Sequence, residues 1–175
     1  MSDDIVGRWL FGKLPSLGDF VARGMDYAVR DRLDSWLTQE MEAARNQFGD
    51  EFESGYDISP AWNFVDCDAN GSWSGGALCA SQDRAGRRFP LIMAIPAPDA
   101  AGAAALSAGC LSAMCRAFAD EQDADGLIAE EISAEAVAWS PHGPEWAILS
   151  EDGAAMVIAG RFPQGVIAKM VELAQ

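Results

Sequence analysis

The chain has one histidine, His142, in Ser140-Pro141-His142-Gly143-Pro144. Flanking prolines and a glycine make that an exposed turn, a poor seat for a general base. No Gly-x-Ser-x-Gly sequence presents a serine on a strained elbow. Gly12-Lys13 invites comparison with a phosphate-binding loop, but leucine and proline follow the lysine where the motif needs a serine or threonine opening a helix. Asp66 and Asp68 flank Cys67 beside Asn70-Gly71, a spacing that could hold a hard cation for metal-assisted hydrolysis. Turn aspartates also serve local hydrogen bonds, and Glu130-Glu131 reads as a solvated helix face. Cys67, Cys79, Cys110 and Cys115 lack the paired spacing of zinc or redox centres and read as buried thiols, with Cys110 and Cys115 on different faces of a helix. The expectation is a non-enzymatic chain without cofactor or metal.

Two other segments concentrate unusual residues. Gly12-Lys13-Leu14-Pro15-Ser16-Leu17-Gly18-Asp19-Phe20-Val21 follows the apolar run Trp9-Leu10-Phe11. Its glycines free the backbone and its proline fixes one angle, so the loop should hold a defined shape that carries Lys13 and Asp19. Ser81-Gln82-Asp83-Arg84-Ala85-Gly86-Arg87-Arg88-Phe89-Pro90-Leu91 is the basic concentration of an acidic chain. Its arginines either bond nearby carbonyls and the carboxylates of Asp83 or Asp19, or join Lys13 in a recognition patch, since a guanidinium grips carboxylate or phosphate bidentately. Lys13 with Arg84, Arg87 and Arg88 would also suit a small-ligand or nucleotide sensor.

The elements that must position these loops are legible from periodicity. Residues 27–48 repeat apolar positions at Val29, Leu33, Trp36, Leu37, Met41, Ala44 and Phe48, with Arg30, Asp34, Glu40, Glu42 and Arg45 on the solvent side and Gly49 as the stop. The acidic stretch 50–57 ends in a turn. Strands are expected over 61–66, 73–81 and 89–95, the first two joined as a hairpin through Asn70-Gly71 and the last covered on both faces, with Pro90 near its start. A helix over 100–119, capped by Asp99, buries Ala104, Leu111, Met114, Cys115 and Phe118. A short helix over 125–133, strands over 136–140, 145–149 and 154–159, and a last helix near 164–174 follow, with Glu151-Asp152-Gly153 as a hairpin turn. The order predicts an α/β fold in one domain over 1–175, with a mixed, largely antiparallel sheet and helices on both faces.

Composition narrows the partners. Of 175 residues half are hydrophobic and 22% charged, which suits a folded domain. The net charge of −15 repels nucleic acid and anionic membranes. Residues 117–175 alone carry 11 acids against Arg161 and Lys169, a solubilising face or a docking face for a basic partner. Met1-Ser2-Asp3-Asp4 is acidic where a secretory leader is basic. The alanine-rich run 94–119 is broken by Pro96, Pro98, Asp99, two glycines and Arg116, so no run approaches the roughly 20 apolar residues of a membrane span. A soluble, cytoplasmic chain without membrane insertion is expected, its oligomeric state open.

In order along the chain, Trp9–Val21, Asp34-Ser35-Trp36, Ser59-Pro60-Ala61-Trp62-Asn63-Phe64 and Asp83–Leu91 together resemble the TagF family, associated with bacterial type VI secretion. The likeness covers roughly residues 7–96. Lys13, Asp19, Arg23, Ser81, Asp83, Gly86, Arg87, Phe89 and Pro90 fit the family pattern. Leu17 and Asn63 replace arginines, the residue before Asp34 is not the family's tryptophan, and Ala80 replaces a proline. The resemblance implies a three-layer α/β/α sandwich and a post-translational repressor of secretion that binds an FHA-domain scaffold protein of the apparatus. Candidate contact residues are Lys13, Ser16, Asp19, Arg23, Asp83, Arg84, Arg87 and Arg88.

Overall fold

Strand alternation along Trp9–Gly12 (β1) divides the molecule. Trp9 and Phe11 enter one apolar core, and Leu10 enters another on the opposite face of the sheet. The structure is a computed structural model that describes residues 7–175; the acidic start Met1–Asp4 lies outside them.

The further strands are Val21–Arg23 (β2), Trp62–Cys67 (β3), Trp73–Cys79 (β4), Leu91–Ala97 (β5), Glu145–Ser150 (β6) and Gly153–Ala159 (β7). They form one sheet in the order β2-β1-β5-β4-β3-β6-β7. Every pairing among them is antiparallel, so the sheet is not mixed as expected. A parallel pair needs a helical crossover between neighbouring strands. The two long helical connections here join β2 to β3 and β5 to β6, and neither pair is neighbouring in the sheet. β5 is the covered central strand that its apolar sequence predicts, and Pro90 sits just before it.

The helices are Tyr27–Phe48 (α1), Phe52–Asp57 (α2), Ala100–Ala119 (α3), Ala124–Ala129 (α4) and Val166–Leu173 (α5). Leu33, Leu37 and Met41 of α1, Phe52 and Tyr56 of α2, and Ile167 and Met170 of α5 share the core of Trp9, Phe11, Trp62, Phe64 and Trp146. Cys110, Ala113 and Met114 of α3 and Leu127 of α4 share the other core with Leu10, Leu14 and Met93. The stretch 50–57, expected to end in a turn, is a 3₁₀ turn over Gly49–Glu51 followed by α2. Glu40, placed on the solvent side by its charge, is buried; its carboxylate accepts from the Gly165 amide at 3.0 Å and so binds the start of α5.

α3 corrects two further expectations. By length and composition it could cross a membrane, contrary to the reading of its interruptions. It packs instead as a core helix. Its buried stripe is Ala103, Ala104, Ser107, Gly109, Cys110, Ala113, Met114 and Ala117, while Leu111 and Phe118 are partly exposed and Cys115 is exposed. Small residues face the sheet because helix and strand almost touch: a Cβ on Gly75 of β4 would collide with the Ala103 carbonyl. The Asp99 carboxylate caps α3, accepting from the Gly102 amide at 2.7 Å. Asn63 lies below, donating to Ser107 Oγ at 3.1 Å.

Ala136–Ser140, expected as a strand, is irregular. Val137 and Trp139 pack toward Val65 and Ala147, and Trp139 Nε1 donates to the Glu145 carboxylate at 3.0 Å. The short helix also stops early, at Ala129.

Candidate functional site

The two unusual segments meet at one end of β1 and β5. Gly12 makes the meeting possible, since its φ is +131° and a Cβ there would strike the Pro90 carbonyl. Residues 82–88 form a tight turn, with Gln82 bridged to Arg88. Asp83 organises it. Its Oδ1 accepts from the Ala85 and Arg87 amides, each at 3.0 Å, and its Oδ2 accepts from Arg87 Nε at 2.7 Å. Lys13 Nζ approaches the same Oδ2 at 3.0 Å and donates to the Arg87 carbonyl at 3.3 Å.

Lys13 and Asp83 are 7% and 1% exposed. Burial alone would raise the Asp83 carboxyl, but the Arg87 amide, the Lys13 ammonium and the Arg87 guanidinium hold it well below the ordinary carboxylate range. The Lys13 ammonium lies 4.9 Å from the Phe20 ring centre, and Phe20 meets Phe89 edge-on at 4.8 Å. Beneath, Ser81 Oγ donates to the Lys13 carbonyl at 2.7 Å, and the Ser81 amide donates to the buried Tyr56 hydroxyl at 3.2 Å. Sequence reasoning missed Tyr56. The i,i+4 pair Phe52/Tyr56 was the available signal for α2 and its buried face.

The arginines spread outward from this brace. Arg84 donates through its guanidinium to the Ser16 carbonyl and through its amide to the Leu17 carbonyl at 2.8 Å. The Arg87 side chain, 63% exposed, also donates to the Gly18 carbonyl at 2.7 Å. Arg88 turns away, binding Asp57 through two bonds of 2.7 Å and Glu53 at 3.1 Å. That contact lowers the Asp57 carboxyl and raises the Arg88 guanidinium. Ser16 Oγ donates to the Gln122 carbonyl at 2.6 Å, and Arg23 pairs with Asp125 at 2.6 Å.

Asp19 is exposed and has no bond to Arg87 among the described residues; the Gly18 carbonyl takes that guanidinium instead. The outward face is therefore Asp19, Phe20 (44% exposed), Arg84 and Arg87. A shallow groove of about 350 Å³ lies beside Pro15, Tyr56, Asp57, Ser81, Gln82 and Phe118.

Residues 9–136 match the model of the TagF N-terminal domain, described as type VI secretion system-associated. The chain belongs to the TagF family. Both segments just described lie within the matched TagF residues, and the chain is a type VI secretion-associated protein. Its fold is similar to the crystal structure of PA0076 from Pseudomonas aeruginosa PAO1, with a TM-score of 0.65 and 22% identity over 94% of this chain and 93% of that one. No curated protein matches it.

The alternative chemistries find their groups engaged. Asp66 holds Arg161 through bonds of 2.7 and 2.8 Å, and Asp68 Oδ1 accepts from the Asn70 and Ser72 amides at 2.9 and 2.8 Å, closing the β3–β4 hairpin. Among the described residues no cluster of three or more acidic, histidine or cysteine side chains could hold a metal. Burial pushes the Cys110 thiol up to about 12 and raises Cys79 and Cys67, which keeps them protonated and poorly nucleophilic. His142 is exposed, as its turn predicts.

Proposed function

We propose that this TagF chain is a non-enzymatic, post-translational repressor of type VI secretion that acts in the cytoplasm by binding an FHA-domain scaffold component of the apparatus. The observation that carries the reading is the outward face of Asp19, Phe20, Arg84 and Arg87, stiffened by the buried Lys13–Asp83 pair beneath it. Preorganised polar and aromatic groups suit protein recognition because little side-chain freedom is lost on binding. Helical cores on opposite faces of the sheet support the three-layer α/β/α arrangement. A nucleotide sensor is less well supported, because Asp83 already takes the Lys13 ammonium and Asp57 takes Arg88.

Deleting the protein should raise secretion, and affinity purification should recover an FHA-domain protein. Arg84→Glu and Asp19→Arg should each lose that partner while keeping wild-type circular dichroism. Unchanged secretion on deletion, or partner binding untouched by both variants, overturns the reading.

A further inference from the structure

At the far edge of the sheet, beyond the stretch 9–136 matched to the family, β7 pairs only with β6 among the described residues. We propose that the outer edge of β7 binds an extended, basic segment of another protein by strand addition.

The pairing register shows which backbone groups are on offer. Glu145 lies opposite Ala159, Trp146 opposite Ile158, Ala147 opposite Val157 and Ile148 opposite Met156. Just beyond, the Gly160 amide donates to the Pro144 carbonyl at 2.8 Å. Antiparallel partners alternate between bonded and non-bonded pairs. Ile158 and Met156 therefore bond to β6, and Val157 and Ala159 direct their N–H and C=O groups away from the sheet. Met156 and Ile158 pack toward the core, which fixes the strand's orientation. Val157 faces the other way and is 48% exposed. The register irregularity between Ile148 and Leu149 is confined to the hairpin end, leaving Met156–Ala159 regular.

Exposed edges are commonly blunted by shortness, charge, proline or a covering element. β2, the opposite edge, has three residues, and its Arg23 is paired with Asp125 of α4. β7 has seven residues, Gly-Ala-Ala-Met-Val-Ile-Ala, with no charge and no proline. Strand addition meets such an edge with main-chain bonds and reads alternate side chains.

Charge selects the occupant. Glu151 and Asp152 stand at the hairpin turn and Glu145 on the adjacent strand, within a C-terminal third that is strongly acidic. Two copies at −15 repel each other, whereas a strand flanked by lysine or arginine is attracted.

The probe is an acetylated peptide of alternating valine and threonine with two lysines at each end, titrated into the full chain at low salt. It should bind, and hydrogen exchange at the Val157 and Ala159 amides should slow by about tenfold while distant exposed amides are unchanged. Exchanging the lysines for glutamates should weaken binding by about tenfold. Val157→Pro removes an outward donor that the internal ladder does not use, and should cost about tenfold in affinity. Val157→Lys should weaken the lysine-ended peptide comparably and decides the matter if the proline variant does not fold. No binding, equal binding by the glutamate peptide, or equal binding by a folded variant overturns the proposal. So does sedimentation showing a dimer that Val157→Lys dissociates, since the occupant is then a second copy.

Discussion

The two ends of the sheet treat their polar groups in opposite ways. At the β1–β5 end, Lys13, Asp83, Ser81 and Tyr56 satisfy one another inside the protein, and Arg84 and Arg87 are tied to carbonyls of the neighbouring loop. At the β7 end the outermost backbone groups have no partner among the described residues, and an apolar strand meets solvent. The difference teaches that rigidity and availability are separate properties: the first end presents a shape already fixed, while the second gains its partner's bonds only on contact.

The largest break in this contrast should come from Lys13→Ala. It leaves Asp83 buried beside one cation fewer, and the melting temperature should fall by roughly 10 °C in calorimetry. Asp83→Asn should follow, with a pH signature. The folded carboxyl titrates below its unfolded value, so its stabilisation is complete above the ordinary carboxylate range and is lost as pH falls toward the lower folded value. The gap between wild type and this variant, by urea denaturation, should be wide at pH 7 and narrow progressively below about pH 4. Arg88→Ala removes a partly exposed pair and should cost about 0.5 kcal/mol. Val157→Lys, at the open end, should change stability by less than about 0.5 kcal/mol. A large loss there would mean that the open edge is part of the fold's own support.

Much of this architecture was legible in the sequence. The period of α1, the apolar run of β5 and the turns at Asn70-Gly71 and Glu151-Asp152-Gly153 each signal a local preference that tertiary packing preserved. β2 is three residues long and carries no periodicity. α2 was hidden by Glu53, Ser54 and Gly55 between its two aromatic anchors. Val137 and Trp139 alternate like a strand, yet they cover the sheet instead of joining it. The stripe of α3 was misplaced because Leu111 and Phe118 look more buried than alanines, and only Gly75 on another element brings the small residues closest. At the candidate site, the sequence marked Lys13, Asp83 and Arg87 but not their depth. Whether a lysine is covered depends on Phe20 and Asp83 reaching it across the fold.

The strand order also has a consequence in time. β1 lies between β2 and β5, pairing Leu10 with Met93 and Gly12 with Leu91. As the chain leaves the ribosome, β1 has only the three-residue β2 to join until residue 91 has emerged. The β3–β4–β5 meander can assemble before that inner seat is filled. Insertion of β1 is therefore a late, long-range event with a high loop-closure cost. The Lys13–Asp83 bond, which spans the same interval, closes with it.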